Sequence, residues 1–259
     1  IDLRSSYKHC PYEKFIEEVQ EKEWEHRLLN LTPDGSDVLV TACHLPTITL
    51  GASSIKEQLT HLKPIPREWL EEPEEELFNK TRDFLKGQYG VNLVKTDRGG
   101  SLWYHDAGVA TFYFIANVES GFPSEIVRPL EETLFRTVAS LGFNPERKPE
   151  RWQSRFQNHI GVWVEGKNIA GIGVRLRRFG KRTISLFGAA LNIDPNMTNM
   201  QMIEPCGIKN AEATSIRLLH KNRRWTPSDD TILSLFRRTM EEVFEAEVIK
   251  PKEVNIGDI

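Results

Sequence analysis

Cysteine is scarce in this chain: three in 259 residues, Cys10, Cys43 and Cys206, with no CxxC pair. An odd and widely spaced set supplies neither a disulfide framework nor a thiolate zinc site. His9 precedes Cys10 and His44 follows Cys43, but neither pair has a matching second half, so no metal and no cofactor are expected. The same usage fits a reducing compartment. Long apolar runs are missing too. No stretch approaches the roughly 20 apolar residues of a spanning helix, so no membrane span is expected. Basic strands interleaved with aromatics are lacking, which argues against nucleic acid as a partner outside a larger assembly. There is no internal repeat and no low-complexity segment. The sequence begins at Ile1 rather than Met, which leaves room for a targeting segment ahead of it.

What is there is ordinary in bulk and uneven in detail. A chain with 39% hydrophobic and 27% charged residues, of this length, has the composition of a soluble globular protein with one sizeable core. The net charge of -3 hides segregation. Residues 68–76 hold six glutamates around Pro73, whereas residues 147–182 hold ten lysines or arginines against only Glu150 and Glu165. A basic face of that kind suits an acidic protein, an anionic lipid or a solvated hairpin.

Periodicity predicts a helix over 12–29 and short strands at 38–40 and 47–50, split by Pro46. Residues 54–90 read as a charged elaboration of loop plus helix, anchored by Phe78, Phe84 and Leu85. Strands are expected at 91–95 and 109–118, flanking a loop over 98–105. Pro123-Ser124 opens a helix with Ile126, Leu130, Leu134, Val138 and Leu141 inward. A β-hairpin over 161–164 and 169–177 should turn at Glu165-Gly166-Lys167-Asn168. A further strand covers 183–193, and Thr226-Pro227-Ser228 starts a closing helix over 229–244. The class is mixed α/β: a helical extension over 1–36, then one domain over 37–259.

The chemistry centres on Cys206. In Ile203-Glu204-Pro205-Cys206-Gly207 a rigid proline and a permissive glycine present the thiol on a fixed turn. A thiol with a pKa near ~8.5 needs a cation or base to react at neutral pH. Arg98 and His105 offer these on one segment, and Lys167 offers an ammonium on a hairpin turn. The amides of Gly99 and Gly100 could approach a thioester carbonyl as an oxyanion hole. Gly171, Gly173, Gly188, Ala189 and Ala190 would leave room for a thin alkyl chain. Together these residues suggest acyl transfer through a thioester. Each also has a structural reading, because a Pro-Cys-Gly turn can pack and a glycine-rich strand can simply permit close sheet packing.

Collinear motifs carry a family resemblance over residues 36–215. They are His44-Leu45-Pro46-Thr47-Ile48-Thr49-Leu50-Gly51, Arg98-Gly99-Gly100 with Tyr104-His105, Gly161-Val162-Trp163-Val164, the strand from Ile169 to Val174, the segment from Gly188 to Asn192, and Pro205-Cys206-Gly207. The chain resembles the octanoyltransferases of lipoate biosynthesis, and two of the motifs are closer to mitochondrial members. The resemblance implies a fold like the catalytic domain of biotin and lipoate protein ligases, with mixed sheets flanked by helices. It implies that Cys206 takes octanoyl from acyl-carrier protein and passes it to a lysine of a lipoyl-domain protein. Arg98, Gly99, Gly100, Ser101, Tyr104, His105, Gly171, Ile172, Gly173, Gly188, Ala189 and Ala190 match its substrate-binding segments. It also implies a mitochondrial location, or a cytoplasmic one in a prokaryote.

The departures are specific. In the family a lysine precedes the Ile-Ala-x-Ile-Gly strand and activates the cysteine. Here Asn168 holds that place and Lys167 lies one residue earlier, which on a strand means the opposite face. Asp106-Ala107-Gly108-Val109 replaces Gly-Pro-Gly-Gln, and Phe187 replaces a histidine. An active, divergent transferase is therefore set against a catalytically inactive paralogue serving as a scaffold in a larger assembly. An ATP-using ligase, which would not need Cys206, is the third alternative.

Overall fold

The computed structural model describes residues 12–16, 37–147, 161–179, 181–221 and 227–245. In chain order these form α1 (Tyr12–Phe15), β1 (Val38–Ala42), β2 (Thr47–Leu50), α2 (Ile55–Leu59), α3 (Glu74–Tyr89), β3 (Asn92–Lys95), β4 (Trp103–His105), β5 (Val109–Ile115), α4 (Ser124–Ser140), β6 (Pro145–Glu146), β7 (Gly161–Val164), β8 (Lys167–Phe179), β9 (Arg182–Asn192), α5 (Met197–Met200), α6 (Ile216–His220) and α7 (Asp229–Phe244). The rest of the helix expected over 12–29 lies outside the described residues.

Two sheets result. The larger runs β1-β5-β9-β8-β7-β6 and every pairing is antiparallel. The smaller, β3-β2-β4, joins β2 to β3 in parallel and to β4 antiparallel. β5 is buried along its whole length because both faces of the larger sheet are covered. Ala110, Phe112 and Phe114 point into a core shared with Leu130, Leu134 and Val138 of α4 and Ile232, Phe236 and Met240 of α7. The alternate residues Thr111 and Tyr113 face the other way, as strand geometry requires. Val109 and Ala190 on that side pack with Ile48, Trp103 and Met202 in a second core under the smaller sheet. The site lies between the two sheets, on the face away from α4 and α7.

Two expected details differ. Residues 103–105 are strand rather than loop, because they pair with 47–49. The hairpin turns on Glu165-Gly166 alone, with both residues left-handed at φ 52° and 73°, the two-residue geometry that matches strand twist. β8 therefore starts at Lys167. The register then slips, with Trp163 opposite Asn168 but Val162 opposite Ala170, so Ile169 is the extra residue of a bulge.

α7 begins at Ser228, whose hydroxyl accepts the Thr231 amide at 3.2 Å. It is pinned by Phe236, stacked on Phe112 with centroids 3.6 Å apart and planes 11° from parallel. Phe236 is fully buried. Phe236→Ala should cost about 3–5 kcal/mol, measured as a shift in the denaturant midpoint at constant m-value.

Candidate active site

Cys206 sits in the one-turn 3-10 segment Pro205–Gly207, with φ 58° and ψ 16°. A non-glycine residue held left-handed stores of order 1–3 kcal/mol, and the turn is tied closed to bear it. The Gly207 amide donates to Glu204 O at 3.2 Å and the Ile208 amide to Pro205 O at 3.1 Å. The thiol is half-buried, packed beside Trp163, Ile208 and Ala211.

The turn is held from the other side by a segment 140 residues away in sequence. Leu62 and Ile203 form an antiparallel bridge. The Lys63 amide donates to Met202 O at 2.8 Å and the Glu204 amide to His61 O at 2.9 Å. Side chains repeat the contact, with His61 Nδ1 at 2.8 Å from Glu204 Oε2. Glu204 is buried, and its other carboxylate oxygen accepts the Asn210 amide at 2.8 Å. Burial pushes this carboxyl up, but the Asn210 amide and His61 outweigh it and hold it below the usual range. The outer edge of the imidazole faces the turn. A Cβ on Gly207 would lie 3.5 Å from both Cδ2 and Nε2 of His61, and 3.3 Å from Ser101 Oγ.

Deeper in, Arg98 crosses between the sheets. Its Nη2 donates to Thr49 O at 3.1 Å and to Thr49 Oγ1 at 2.6 Å, and its Nη1 to Gly99 O at 3.1 Å. Burial lowers its pKa, while Tyr12, Tyr113 and Cys206 favour its charge. That attraction is mutual, so the guanidinium favours a thiolate at Cys206 over a thiol. Tyr12 of α1 is buried in the same cluster, with ring centroids 4.8 Å from His44 and 5.1 Å from His105. The described part of the N-terminal extension is thus part of the site's wall.

His105 is buried, with Nδ1 at 3.1 Å from Thr111 Oγ1 and Nε2 at 3.4 Å from Thr49 Oγ1. Burial first, then His44 and Arg98, push its pKa well below the ordinary value. It is a neutral link in a hydrogen-bonded chain, not a proton acceptor poised near neutral pH.

Lys167, the expected activator, is turned outward. Its Nζ lies 2.6 Å from Glu212 Oε2, with both side chains about half exposed. The bulge that could have brought it round falls at Ile169, two residues too late. Asn168 is fully buried. Its Nδ2 donates to Ala170 O at 3.1 Å and Val162 O at 3.4 Å, two carbonyls on either side of the bulge, while Oδ1 has no hydrogen-bond partner.

The small residues also differ from expectation. Instead of leaving open space, Gly171 is covered by the Trp103 indole, 2.4 Å from where a Cβ would be, and Gly173 by the Arg98 stem at 2.8 Å. Gly188 is pressed against Phe112 O at 2.1 Å by the same measure. Alternation puts Ile172 and Ala189 with the α4–α7 core, leaving Ala190 toward the site face. The Gly99 amide is already donated to Val174 O at 3.1 Å. Tyr104 belongs to the second core, its hydroxyl donating to Asp106 Oδ2 at 3.0 Å and accepting from Asn199 Nδ2 at 3.3 Å. Burial and Asp106 raise its pKa, so it stays a phenol. Asp106 binds the Gly108 and Asn196 amides as well, which makes it a loop organiser.

The structure therefore brings Cys206, Arg98, Ser101 and His105 to one region and leaves Lys167, Tyr104, Ile172 and Ala189 elsewhere. It also places His61 and Glu204 beside the cysteine turn. The only trace of them in the sequence is a glutamate two residues before the cysteine. Of the long basic stretch, Arg175 and Arg177 are paired with Asp97, and Arg147 with Glu131 and Glu132. Residues 148–160 of it lie outside the described residues. Among the described residues no helix is long and apolar enough to cross a membrane.

Because the folded protein disfavours a charged His105, the unfolded chain binds its proton more readily. Stability should hold above the unfolded pKa near ~6.5 and fall as pH drops below it. Denaturant midpoints from pH 7.5 to 5 should show this slope, and His105→Asn should flatten it.

Residues 19–236 match the model of the lipoyl protein ligase A/B catalytic domain. An octanoyltransferase of Clostridium kluyveri is 27% identical over 256 residues, 98% of this chain and 92% of that protein. An octanoyltransferase of Chloroflexus aggregans is 32% identical over 200 residues, 75% of this chain and 76% of that protein. Among solved structures, lipoate-protein ligase A bound with ATP superposes with a TM-score of 0.62 at 14% identity, covering 90% of this chain and 83% of its own. The bipartite lipoate protein ligase of Thermoplasma acidophilum gives 0.61 at 12%, covering 96% and 86%.

Proposed function

The chain belongs to the lipoyl protein ligase A/B catalytic-domain family, and on that basis we propose that it is an octanoyltransferase working through a thioester on Cys206. The observation that carries this is the half-buried thiol, held left-handed on a clamped turn in the field of Arg98. A strained, fixed nucleophile beside a buried cation is what acyl capture needs. The relatives named octanoyltransferase support the acyl group.

In the proposed reaction the Cys206 thiolate attacks the thioester carbonyl of octanoyl-acyl-carrier protein and expels the carrier thiol. The amine of a lysine on a lipoyl-domain protein then attacks the Cys206 thioester and releases the cysteine. The donor thioester is already activated, so neither ATP nor a metal is required. Of the two glycine amides considered for the oxyanion, Gly100 remains in the proposal, since Gly99 is engaged with Val174. The reported relatives are bacterial, which favours a cytoplasmic setting over a mitochondrial one.

The inactive-scaffold alternative has one observation in its favour: Asn168, where the family has a lysine, is buried with its Nδ2 engaged at the bulge. Intact-mass measurement after mixing with octanoyl-acyl-carrier protein separates the two. One octanoyl group should add to the wild type without ATP, be absent from Cys206→Ala, and form equally fast in Lys167→Ala. No adduct on the wild type would favour the scaffold. A requirement for ATP, with activity surviving in Cys206→Ala, would favour a ligase.

A further inference from the structure

We propose that His61, oriented by Glu204, is the general base for Cys206, standing in for the lysine that Asn168 replaces. The inference rests on the transferase function above and goes beyond it by assigning the proton.

The geometry has the three parts such a device needs. The first is an imidazole with one nitrogen engaged. Glu204 is a carboxylate, and its Oε2 at 2.8 Å from His61 Nδ1 makes that nitrogen the N–H donor. The lone pair is thereby fixed on Nε2. The second is position: the Cδ2–Nε2 edge of the ring faces the Pro205–Gly207 turn, both atoms 3.5 Å from the Cβ position of Gly207, the residue that follows Cys206. The third is rigidity. His61 and Glu204 are joined through the backbone as well as the side chains, and Leu62 and Lys63 bond Ile203 and Met202 beside them. Glu204 also accepts Asn210 N–H, so it holds the ring from a fixed position on the nucleophile's own loop. A nucleophile, a base, and a third group that orients the base form the logic of a catalytic triad.

The other candidates for this proton fail on position. His105 is buried against Arg98, which opposes a second positive charge there. Lys167 is engaged by Glu212. His61, by contrast, keeps 22% of its side chain exposed, so a substrate can reach it.

The step balances without a further reagent. Cys206 Sγ–H passes its proton to His61 Nε2, and the thiolate forms the new S–C bond at the donor carbonyl. When the donor C–S bond breaks, the imidazolium returns that proton to the departing thiol. In the second half His61 takes a proton from the attacking ammonium-derived amine as the Cys206–acyl bond breaks, and the sulfur leaves as thiolate. Besides Glu204, the described residues place Lys63 in range of Glu204 and Arg98 in range of Cys206. Lys63 steadies the carboxylate and Arg98 the thiolate.

The test is the pH dependence of Cys206 alkylation by iodoacetamide, read on the Cys206 peptide by mass spectrometry. Wild type should react at similar rates from pH 6.5 to 8.5. His61→Gln should be about tenfold or more slower at pH 6.5 and converge with wild type at high pH, where the thiol ionises unaided. Glu204→Gln, which keeps an acceptor but removes the charge, should fall between them. Unchanged circular dichroism and slow alkylation of the buried Cys43 show that the variants fold. Coincident profiles for wild type and His61→Gln would overturn the assignment. Alkylation needs no acyl donor, so a wild type that fails to take octanoyl counts against the transferase function and is a separate result. Where the adduct forms, its single-turnover rate should drop about 10²–10⁴-fold in His61→Gln near neutral pH.

Discussion

A guanidinium taken out of water between two sheets is the constraint on which the rest of this structure depends. Arg98 is buried, and a buried charge is tolerated only when its donors are satisfied and its field is answered. Its donors go to Thr49 of the smaller sheet and Gly99 of its own loop, and its stem lies on Gly173 of the larger one. The groups that favour its charge are Tyr12, Tyr113 and Cys206, hydroxyls and a thiol that are neutral until one of them ionises. Cys206 has the lowest ordinary pKa of the three. One side chain thus ties the smaller sheet, its own loop and the larger sheet together.

The same charge divides the histidines by role. It favours a thiolate at Cys206 and opposes an imidazolium at His105, which is bonded to Thr49, whose hydroxyl also accepts an Arg98 N–H. In the proposed mechanism a base deep in the site would compete with Arg98 for the same space. His61, paired with the Glu204 carboxylate, is the imidazole placed beside the cysteine turn, and the clasp between 61–63 and 202–204 holds it there.

Much of this was legible in the sequence, and what was not has physical reasons. The helices over 124–140 and 229–244 announced themselves through apolar spacing and the Pro123 and Ser228 boundaries. The strands expected at 38–40 and 47–50 are marked by β-branched runs, although the first extends to Ala42 and nothing local says that they enter different sheets. Cys206, Arg98 and His105 were found because they lie on short motifs. His61 lies on no motif and meets the cysteine turn only through a loop over 100 residues away. The glycines of β8 showed that something comes close, but not that it is Trp103 and Arg98. Composition cannot distinguish space left for a ligand from space already filled. At 168 the sequence exposed a missing lysine, whereas the bulge that gives Asn168 its structural work depends on register.

The most direct measurement is a pulse-chase of the acyl group through Cys206. The enzyme is loaded with labelled octanoyl from the carrier protein, unbound donor is removed, and a lipoyl-domain acceptor is added while Cys206 and acceptor peptides are followed by mass. Label should leave Cys206 and appear on the acceptor lysine at a rate no slower than overall turnover. Label that remains on Cys206 while the acceptor is acylated from fresh donor would contradict a thioester intermediate at this residue.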